Sequence, residues 1–512
     1  MSIKEYILVF DIGSGTARVA LFDPLGNLVG ALSQARRYTP VDSADTFIIV
    51  FDPHHLWSQL CGLTRDLLDK TGVASSSIRA VTATGQRHSC VFIGAKGEVV
   101  CASPNQDARG FFAQELIEKQ LGNEIYAITG QWPPILSSLA RFLWYRQEEP
   151  ETCHRIKKIL MLNDWVLYKL CGELVSEPTA SSSSMILDIG RRQWSSKVIE
   201  CFSLDPSLLP PLADAGHTIG GLTASASQEC GLLEHTPVVI SGGDTHCALL
   251  AAGAAGAGDI GLIAGTTTPV CCIVDDALID PEQRIWTTCH LLPGQWILDS
   301  NAQWTGAVYQ WLHDFVKEEF VGMLPGQSCF DIMETRARTA PPGSNDTYAF
   351  LGSVIMDVRN FFVLRPGLFL FPPPTHPMIE KPTTLGDMIR ATLENIVYAI
   401  QGNMSHLARI YTKALLPPTL YLTGGLSHSR LFTEILADCT GIPVAVSRFR
   451  EGTALGAALC ASVGVGFYPD LLEAARNMVQ IEERIEPVPE HTTLYKRSYE
   501  RWKDLYQVIP DL

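Results

Sequence analysis

The sequence predicts an α/β protein with two similar halves around a cleft, and three observations predict it. An apolar strand from Tyr6 reaches the turn Asp11-Ile12-Gly13-Ser14-Gly15-Thr16 and doubles back to Asp23. Thr236–Val274 echoes this arrangement: one apolar strand carries Asp244 to the glycines Gly242 and Gly243, and two more flank Gly265-Thr266-Thr267. Between and beyond these units, amphipathic helical stretches alternate with short apolar runs, as expected for helices packed on a sheet. Turns of Gly, Ser and Thr present backbone N–H groups to phosphate oxygens, and their aspartates suit a divalent cation or a proton. Two such turns facing one another would form a nucleotide phosphotransferase site.

The elements follow in order. After the first hairpin come an amphipathic helix at His54–Thr71 and a strand at Ile78–Thr84. Leu136–Leu170 reads as helical, with Trp144, Ile156, Trp165 and Leu170 on core faces. Ser181–Ser184 reads as a polar loop entering a short strand, and Trp194 as the start of another helix. A boundary falls near Asp244–Gly258, where a strand gives way to the small-residue helix of THCALLAAGAAGAG. Strands and turns continue to about Leu298, followed by a helix at Ala302–Phe315. Pro341–Asp346 and Phe371–Pro377 read as surface connections with proline-fixed geometry. A helix at Thr384–Lys413 leads to the strand Thr419–Thr423, a glycine turn and a helix of LFTEILAD periodicity. A last small-residue helix, Glu451–Val463, precedes a polar C-terminal tail, and no short-period repeat is visible.

With 512 residues the chain exceeds a single hydrophobic core. Hydrophobic residues at 46% against 18% charged exclude a disordered chain. A net charge of −15 without basic runs disfavours nucleic acid, yet leaves anionic substrates open, because backbone dipoles and metal hold phosphate locally. The 14 cysteines include the adjacent pair Cys271–Cys272 but no CxxC, which suits a reducing cytosol. The start MSIKEYILVF lacks an export signal, and the apolar stretch Val238–Val274 is broken by Asp244, Asp259 and glycines. A cytoplasmic protein with no membrane partner is expected.

Asp11–Arg18 fails the dinucleotide fingerprint at Arg18, and no P-loop string is present. On residue types alone, an ordinary hairpin turn explains Gly13 and Gly15 as well as a phosphate cradle does. Likewise Asp244 reads equally as a general base or as a helix N-cap over His246 and Cys247. There is no G-x-S-x-G elbow and no HExxH, and Cys289–His290 lacks spaced partners for zinc.

Nine strings taken together resemble the FGGY carbohydrate kinases, in the family's order. They are DIGSGTARVALFD, TGQRHS, NQDAR, ARFLWYRQEEPE, SGGDTHCA, AGTTT, GAVYQWLHD, TGGLSHSRLFTEILAD and EGTALGAAL, spanning about Tyr6 to Val465. The resemblance implies two actin-like ATPase (ribonuclease H-like) domains with sugar and ATP in the cleft between them. Residues 1–245 would form the sugar side, 246–475 the nucleotide side and 476–512 a tail. It makes Asp244 the general base and places Asp11 at the Mg²⁺. Gly13, Ser14, Gly15 and Thr16 then fall at the phosphates, with Arg18 among these cofactor-binding residues as a brace of the turn, and Gly265, Thr266 and Thr267 form the second phosphate loop. Gly306, Gln310, Gly424, Gly425 and Ser429 fall on nucleotide-facing positions, and Leu426 replaces the third glycine of the family's GGG. Gln86, Arg87 and His88 match a substrate-contacting turn of xylulose kinases, with Arg87 in place of Met. Asp107 would accept hydrogen bonds from sugar hydroxyls, while Arg141 and Trp144 brace the wall. Asn105, where the family places Trp, resembles the autoinducer kinases instead.

The expected activity is therefore transfer of the ATP γ-phosphate to a small sugar, D-xylulose first, giving D-xylulose 5-phosphate. An autoinducer kinase, or a kinase of another ketose, polyol or sugar acid, is the alternative. From a different class, a non-enzymatic actin-like ATP-binding protein would share the phosphate turns without a sugar pocket. Expected partners are the sugar and ATP, with a homodimer as a compatible assembly.

Overall fold

The computed structural model describes residues 5–42, 45–320, 328–360, 363, 365–373, 382–413, 418–449 and 452–508. Pro374–Pro377, the end of one expected surface connection, lie outside these. The chain divides into two compact units. The first comprises Met1–Ala257, Ile273–Leu298 and Glu451–Gln480; the second comprises Gly258–Cys272, Asp299–Arg450 and Ile481–Leu512. This differs from a division at residues 245 and 475, because each unit recruits segments distant in sequence.

The first unit is built on six strands in the spatial order Thr218–Gly221, Pro237–Gly243, Ile78–Gly85, Tyr6–Ile12, Thr16–Phe22 and Leu28–Ala35. Tyr6–Ile12 pairs antiparallel with Thr16–Phe22 and parallel with Ile78–Gly85, which pairs parallel with Pro237–Gly243. Ile7, Leu8, Val9 and Phe10 are all fully buried, which explains why this strand is continuously apolar instead of alternating. The ends of Tyr6–Ile12, Ile78–Gly85 and Pro237–Gly243 thus place Asp11, Gln86 and Asp244 along one edge of one sheet. The helix Pro53–Thr71 turns Leu56, Leu60 and Leu67 inward. It starts where Asp52 accepts from the amides of His54 and His55, with Pro53 in its first turn, and it stops at Gly72 (φ 66°).

The small-residue helix Asp244–Ala252 packs against a second one, Gly452–Gly464. A methyl group on Gly456 would lie 2.0 Å from the Cys247 carbonyl oxygen, so only glycine permits this approach.

The second unit carries Trp296–Trp304, Thr267–Val274, Ile260–Ile263, Leu420–Thr423, Val444–Ser447 and Ile481–Ile485 in that order. Ile260–Ile263 pairs antiparallel with Thr267–Val274 and parallel with Leu420–Thr423, repeating the pattern around Tyr6–Ile12. The true echo of the first hairpin is therefore Ile260–Val274. Asp244 instead belongs to the same sheet as Asp11.

Several local expectations change. Leu136–Leu170 contains the strand Lys158–Met161, paired antiparallel with Cys90–Ile93, between the helices Pro150–Arg155 and Leu162–Cys171. Ser181–Ser184 is a buried helical turn, where Ser182 and Ser183 donate to the carbonyls of Pro178 and Ala180. Trp194 ends a two-residue strand, and the next helix starts at Ser196 behind the Ser195 cap. The strand Trp296–Trp304 delays the following helix to Gly306–Phe320. The expected tail holds the helix Pro489–Val508, anchored by fully buried Tyr495 and Trp502; Tyr495 donates to Glu394 (3.0 Å) and Trp502 to Asn395 (3.2 Å). Among the described residues, no helix is long and apolar enough to cross a membrane.

Candidate active site

Asp244 is the first residue of its helix, with Gly243 as an extended N-cap (φ −64°, ψ 154°). Its Oδ1 accepts from the Thr245 amide at 2.7 Å, and no side-chain cap reaches further into the helix. The carboxylate is thus not spent as the N-cap over His246 and Cys247, and 30% of the side chain remains exposed. Burial of the surrounding turn pushes its pKa above the usual aspartate value, and the Arg87 guanidinium, with Nε 4.0 Å from Oδ1, opposes that rise. The Arg87 stem passes over Gly243, where a methyl group would come within 3.2 Å of Cγ.

Beside it lies the turn Gln86–His88. The Gln86 amide donates to the Ile12 carbonyl (2.8 Å), which carries this turn alongside Asp11. The Gln86 Nε2 donates to the Tyr38 hydroxyl (2.9 Å), while Oε1 is buried without a hydrogen-bond partner. His88 adopts φ 61°, a left-handed conformation costly for a side-chain-bearing residue. Arg141 Nη1 holds its carbonyl at 2.5 Å, and Ser183 accepts from its amide at 3.2 Å. Its ring lies 5.5 Å from that of Trp286, with Nε2 buried and without a partner. Burial, then Arg87 and Arg141, depress its pKa to about 3, so the imidazole is neutral at physiological pH. Fully buried Arg141 also donates to the carbonyls of Pro104 (2.9 Å) and Asp107 (2.8 Å), positioning Asn105, whose Oδ1 is a third orphaned polar atom. Buried polar atoms left unsatisfied at one turn cluster suit a ligand rich in hydroxyl groups.

Asp107 does not fit the expected contact with hydroxyls. Its carboxylate is fully buried and engaged by Arg109 Nε (2.8 and 3.0 Å) and the Ile49 amide (3.4 Å). It braces the loop beneath Asn105.

The Asp11 turn is closed by Gly13 N donating to Thr16 O (3.0 Å). Ser14, Gly15 and Thr16 are exposed, and a methyl group on Gly15 would meet nothing within 4 Å, which leaves room for a phosphate. Arg18 pairs with Asp11 (3.4 Å), the geometry of a brace for the turn. Arg36 was not singled out in the sequence. Its amide donates to Gly15 O (2.9 Å) and its Nη1 to Gly13 O (2.9 Å), while its guanidinium lies over Tyr38 and Phe51. No carboxylate faces it among the described residues, so its charge supports an anionic ligand at the turn.

In the second unit, a cavity of about 1050 Å³ is lined by Gly265, Thr266, Gly306, Gln310, Gly425, Leu426 and Ser429, a volume suited to a nucleotide. A methyl group on Gly306 would lie 2.2 Å from Gly265 O, so this glycine lets the helix Gly306–Phe320 start directly on the phosphate turn. Gly424 (φ 102°) approaches the Ala264 backbone in the same way. Thr267 and Gly424 shape the turns without lining the cavity. Ser429 caps the helix Arg430–Thr440 and donates to Glu334 (3.1 Å); Gln310 bonds Asp314 (2.8 Å). Sequence reasoning missed the aromatic wall of Tyr309 and Phe330, whose rings are 5.6 Å apart and suit a flat base.

Among the described residues, no group of three or more His, Cys, Asp or Glu could cage a metal. Asp11 is a hard oxygen donor at the Gly13–Thr16 turn, of the kind a divalent cation on a phosphate would take.

Two hairpin-led sheets, one bearing a carboxylate beside a turn with unsatisfied buried polar atoms and the other a nucleotide-sized cavity, define a two-domain sugar-kinase fold. The structure of xylulose kinase from Rhodospirillum rubrum shares this fold, with TM-score 0.85 over 99% of both chains at 22% identity. The chain belongs to the FGGY family of carbohydrate kinases, whose N-terminal domain matches residues 6–251 and C-terminal domain residues 261–465. It is similar to the autoinducer-2 kinases of Yersinia pestis, 30% identical over 510 residues, and Salmonella choleraesuis, 27% over 509. In both cases 98% of this chain and 94% of the relative are covered. It is an ATP-dependent sugar kinase.

Proposed function

We propose that this kinase phosphorylates a small uncharged polyhydroxylated ketone, with Mg²⁺ on the nucleotide. The observation that carries the reading is Asp244, an incompletely covered carboxylate at a helix N-terminus beside the orphaned acceptors of the Gln86–His88 turn. Asp244 takes the proton of the acceptor hydroxyl as its oxygen attacks the γ-phosphorus; the new O–P bond forms while the bond to the β-phosphate oxygen breaks and ADP leaves. Arg87 keeps Asp244 ionised against its burial. Backbone N–H groups of Ser14–Thr16 and Gly265–Thr267 hold phosphate oxygens, Arg36 adds positive charge, and Asp11 would hold the metal. Mg²⁺, when bound, offsets charge on the transferring phosphoryl group.

Two substrates stand out within that class. Whole-length similarity to autoinducer-2 kinases, together with Asn105, favours autoinducer-2. The Gln86–Arg87–His88 turn supports D-xylulose, giving D-xylulose 5-phosphate. The neutral His88 speaks against a sugar acid. A coupled ADP-release assay over autoinducer-2, xylulose, ribulose, gluconate, glycerol and sedoheptulose tests this. Sugar-stimulated turnover with one of the first two supports the reading, and preferential turnover of gluconate overturns it.

A further inference from the structure

We propose that Glu177 and Thr179 are positioning residues that fix the Gly242–Gly243 turn and, through it, the carboxylate of Asp244. The inference rests on the assignment of Asp244 as the general base. Both residues are fully buried, so neither touches substrate.

Their hydrogen bonds run in one direction. Glu177 Oε2 accepts from the Thr179 amide (2.7 Å), the Thr179 hydroxyl (2.5 Å) and the Ala180 amide (3.1 Å). With its only proton committed to Glu177, the Thr179 oxygen is left as an acceptor, and it receives the Gly243 N–H at 2.9 Å. Gly243 is the pivot between the strand Pro237–Gly243 and the helix that Asp244 begins. Its neighbour Gly242 is seated on the same pair: a methyl group there would lie 2.5 Å from the Thr179 hydroxyl and 2.4 Å from Leu291. From the other side, Thr84 donates to the Gly242 carbonyl at 2.8 Å. The Gly242–Gly243 peptide is thereby held at both its N–H and its C=O.

A buried carboxylate is a costly way to cap the four-residue helix Pro178–Ser181. Glu177 Oε1 has no hydrogen-bond partner, and burial pushes the pKa up to about 7, with Thr179 and then Arg192 opposing. Asp164, Cys289 and Cys460 also face it. Its observable return is the orientation of one hydroxyl toward Gly243. A displacement of the base costs rate more than affinity, because binding and chemistry use different groups.

The test is steady-state kinetics of the full-length protein at pH 8, with its best acceptor and ATP. Thr179→Val keeps the side-chain shape but cannot donate or accept; kcat should fall about tenfold or more with both KM values and the Tm little changed. Thr179→Ser should restore kcat. Should the valine variant fail to fold, Thr179→Ala, which also removes the hydroxyl, carries the same expectation. In an Asp244→Asn background, Thr179→Val should cause no further loss, since the pair acts through that carboxylate. Wild-type kcat in Thr179→Val, a serine variant as slow as valine, or a further loss in the double variant would overturn the positioning role alone. Normal turnover of Asp244→Asn would instead remove the base assignment, and the inference with it.

Discussion

Arg141 donates a 2.5 Å hydrogen bond to the carbonyl of His88, a residue held at φ 61°. The same guanidinium binds the carbonyls of Pro104 and Asp107, so one buried cation sets both turns that present orphaned acceptors. Both turns are therefore pre-formed by backbone clamping, and if they receive the acceptor as proposed, substitutions at their rim should act on recognition more than on folding.

Asp244→Asn retains shape and hydrogen bonding but cannot take a proton. A fall in kcat of about 10²–10⁴-fold is expected, with acceptor and nucleotide affinities largely kept. Steady-state kinetics combined with calorimetric binding separates the two, and near-normal kcat would exclude Asp244 as the base.

His88→Ala removes a neutral nitrogen and leaves an acceptor hydroxyl unpaired. A loss of about 1–3 kcal/mol corresponds to roughly tenfold to a hundredfold in kcat/KM. Acceptor-independent ATP hydrolysis should not change. Equal kcat/KM for wild type and variant would show that the ring does not contact the acceptor.

The pH profile reports on Arg87. As the proposed base, Asp244 must be ionised to act, and its raised pKa should place the acid limb of kcat/KM above the ordinary aspartate range. Since Arg87 opposes the rise, Arg87→Gln should move that limb to still higher pH. An unmoved or lower limb would mean that another group governs it.

Gly306→Ala drives a methyl group to 2.2 Å from Gly265 O. The phosphate turn must shift, so KM for ATP should rise severalfold or more, about 1–3 kcal/mol of overpacking. Acceptor affinity in the isolated binding step should be untouched; a change there instead would break the assignment of the cavity to nucleotide.

Asp11→Asn weakens a hard oxygen ligand. Turnover at saturating ATP should require a higher Mg²⁺ concentration, and chelation should abolish it in both proteins. An identical Mg²⁺ titration for both would take the metal away from Asp11.

What could be read from the sequence were features whose chemistry is local. Asp11, Asp244 and the turns at Gly13, Gly265 and Gly424 sit in short strings where an apolar strand meets small residues, and the structure keeps them at strand ends. What escaped depends on distant partners. Lys158–Met161 looks helical until Cys90–Ile93 supplies its pairing, and a four-residue apolar run carries no period to decide. Ser181–Ser184 looked solvent-facing because hydroxyl satisfaction by carbonyls one helical turn back is invisible to composition. Arg36, Tyr38 and Trp286 reach the Asp11 and Gln86–His88 turns only through register and tertiary packing. Asp107 carried the right chemistry, but its neighbour Arg109 consumed it.

The 2.0 Å clearance at Gly456 also has a bearing on biogenesis. The helix that Asp244 opens rests on a segment the ribosome makes well after it. Until Gly452–Gly464 emerges, the backbone at Cys247 lacks its cover, and the nascent first unit must remain incomplete while the second is being made. A chain truncated before this segment would leave the helix Asp244–Ala252 without its packing partner.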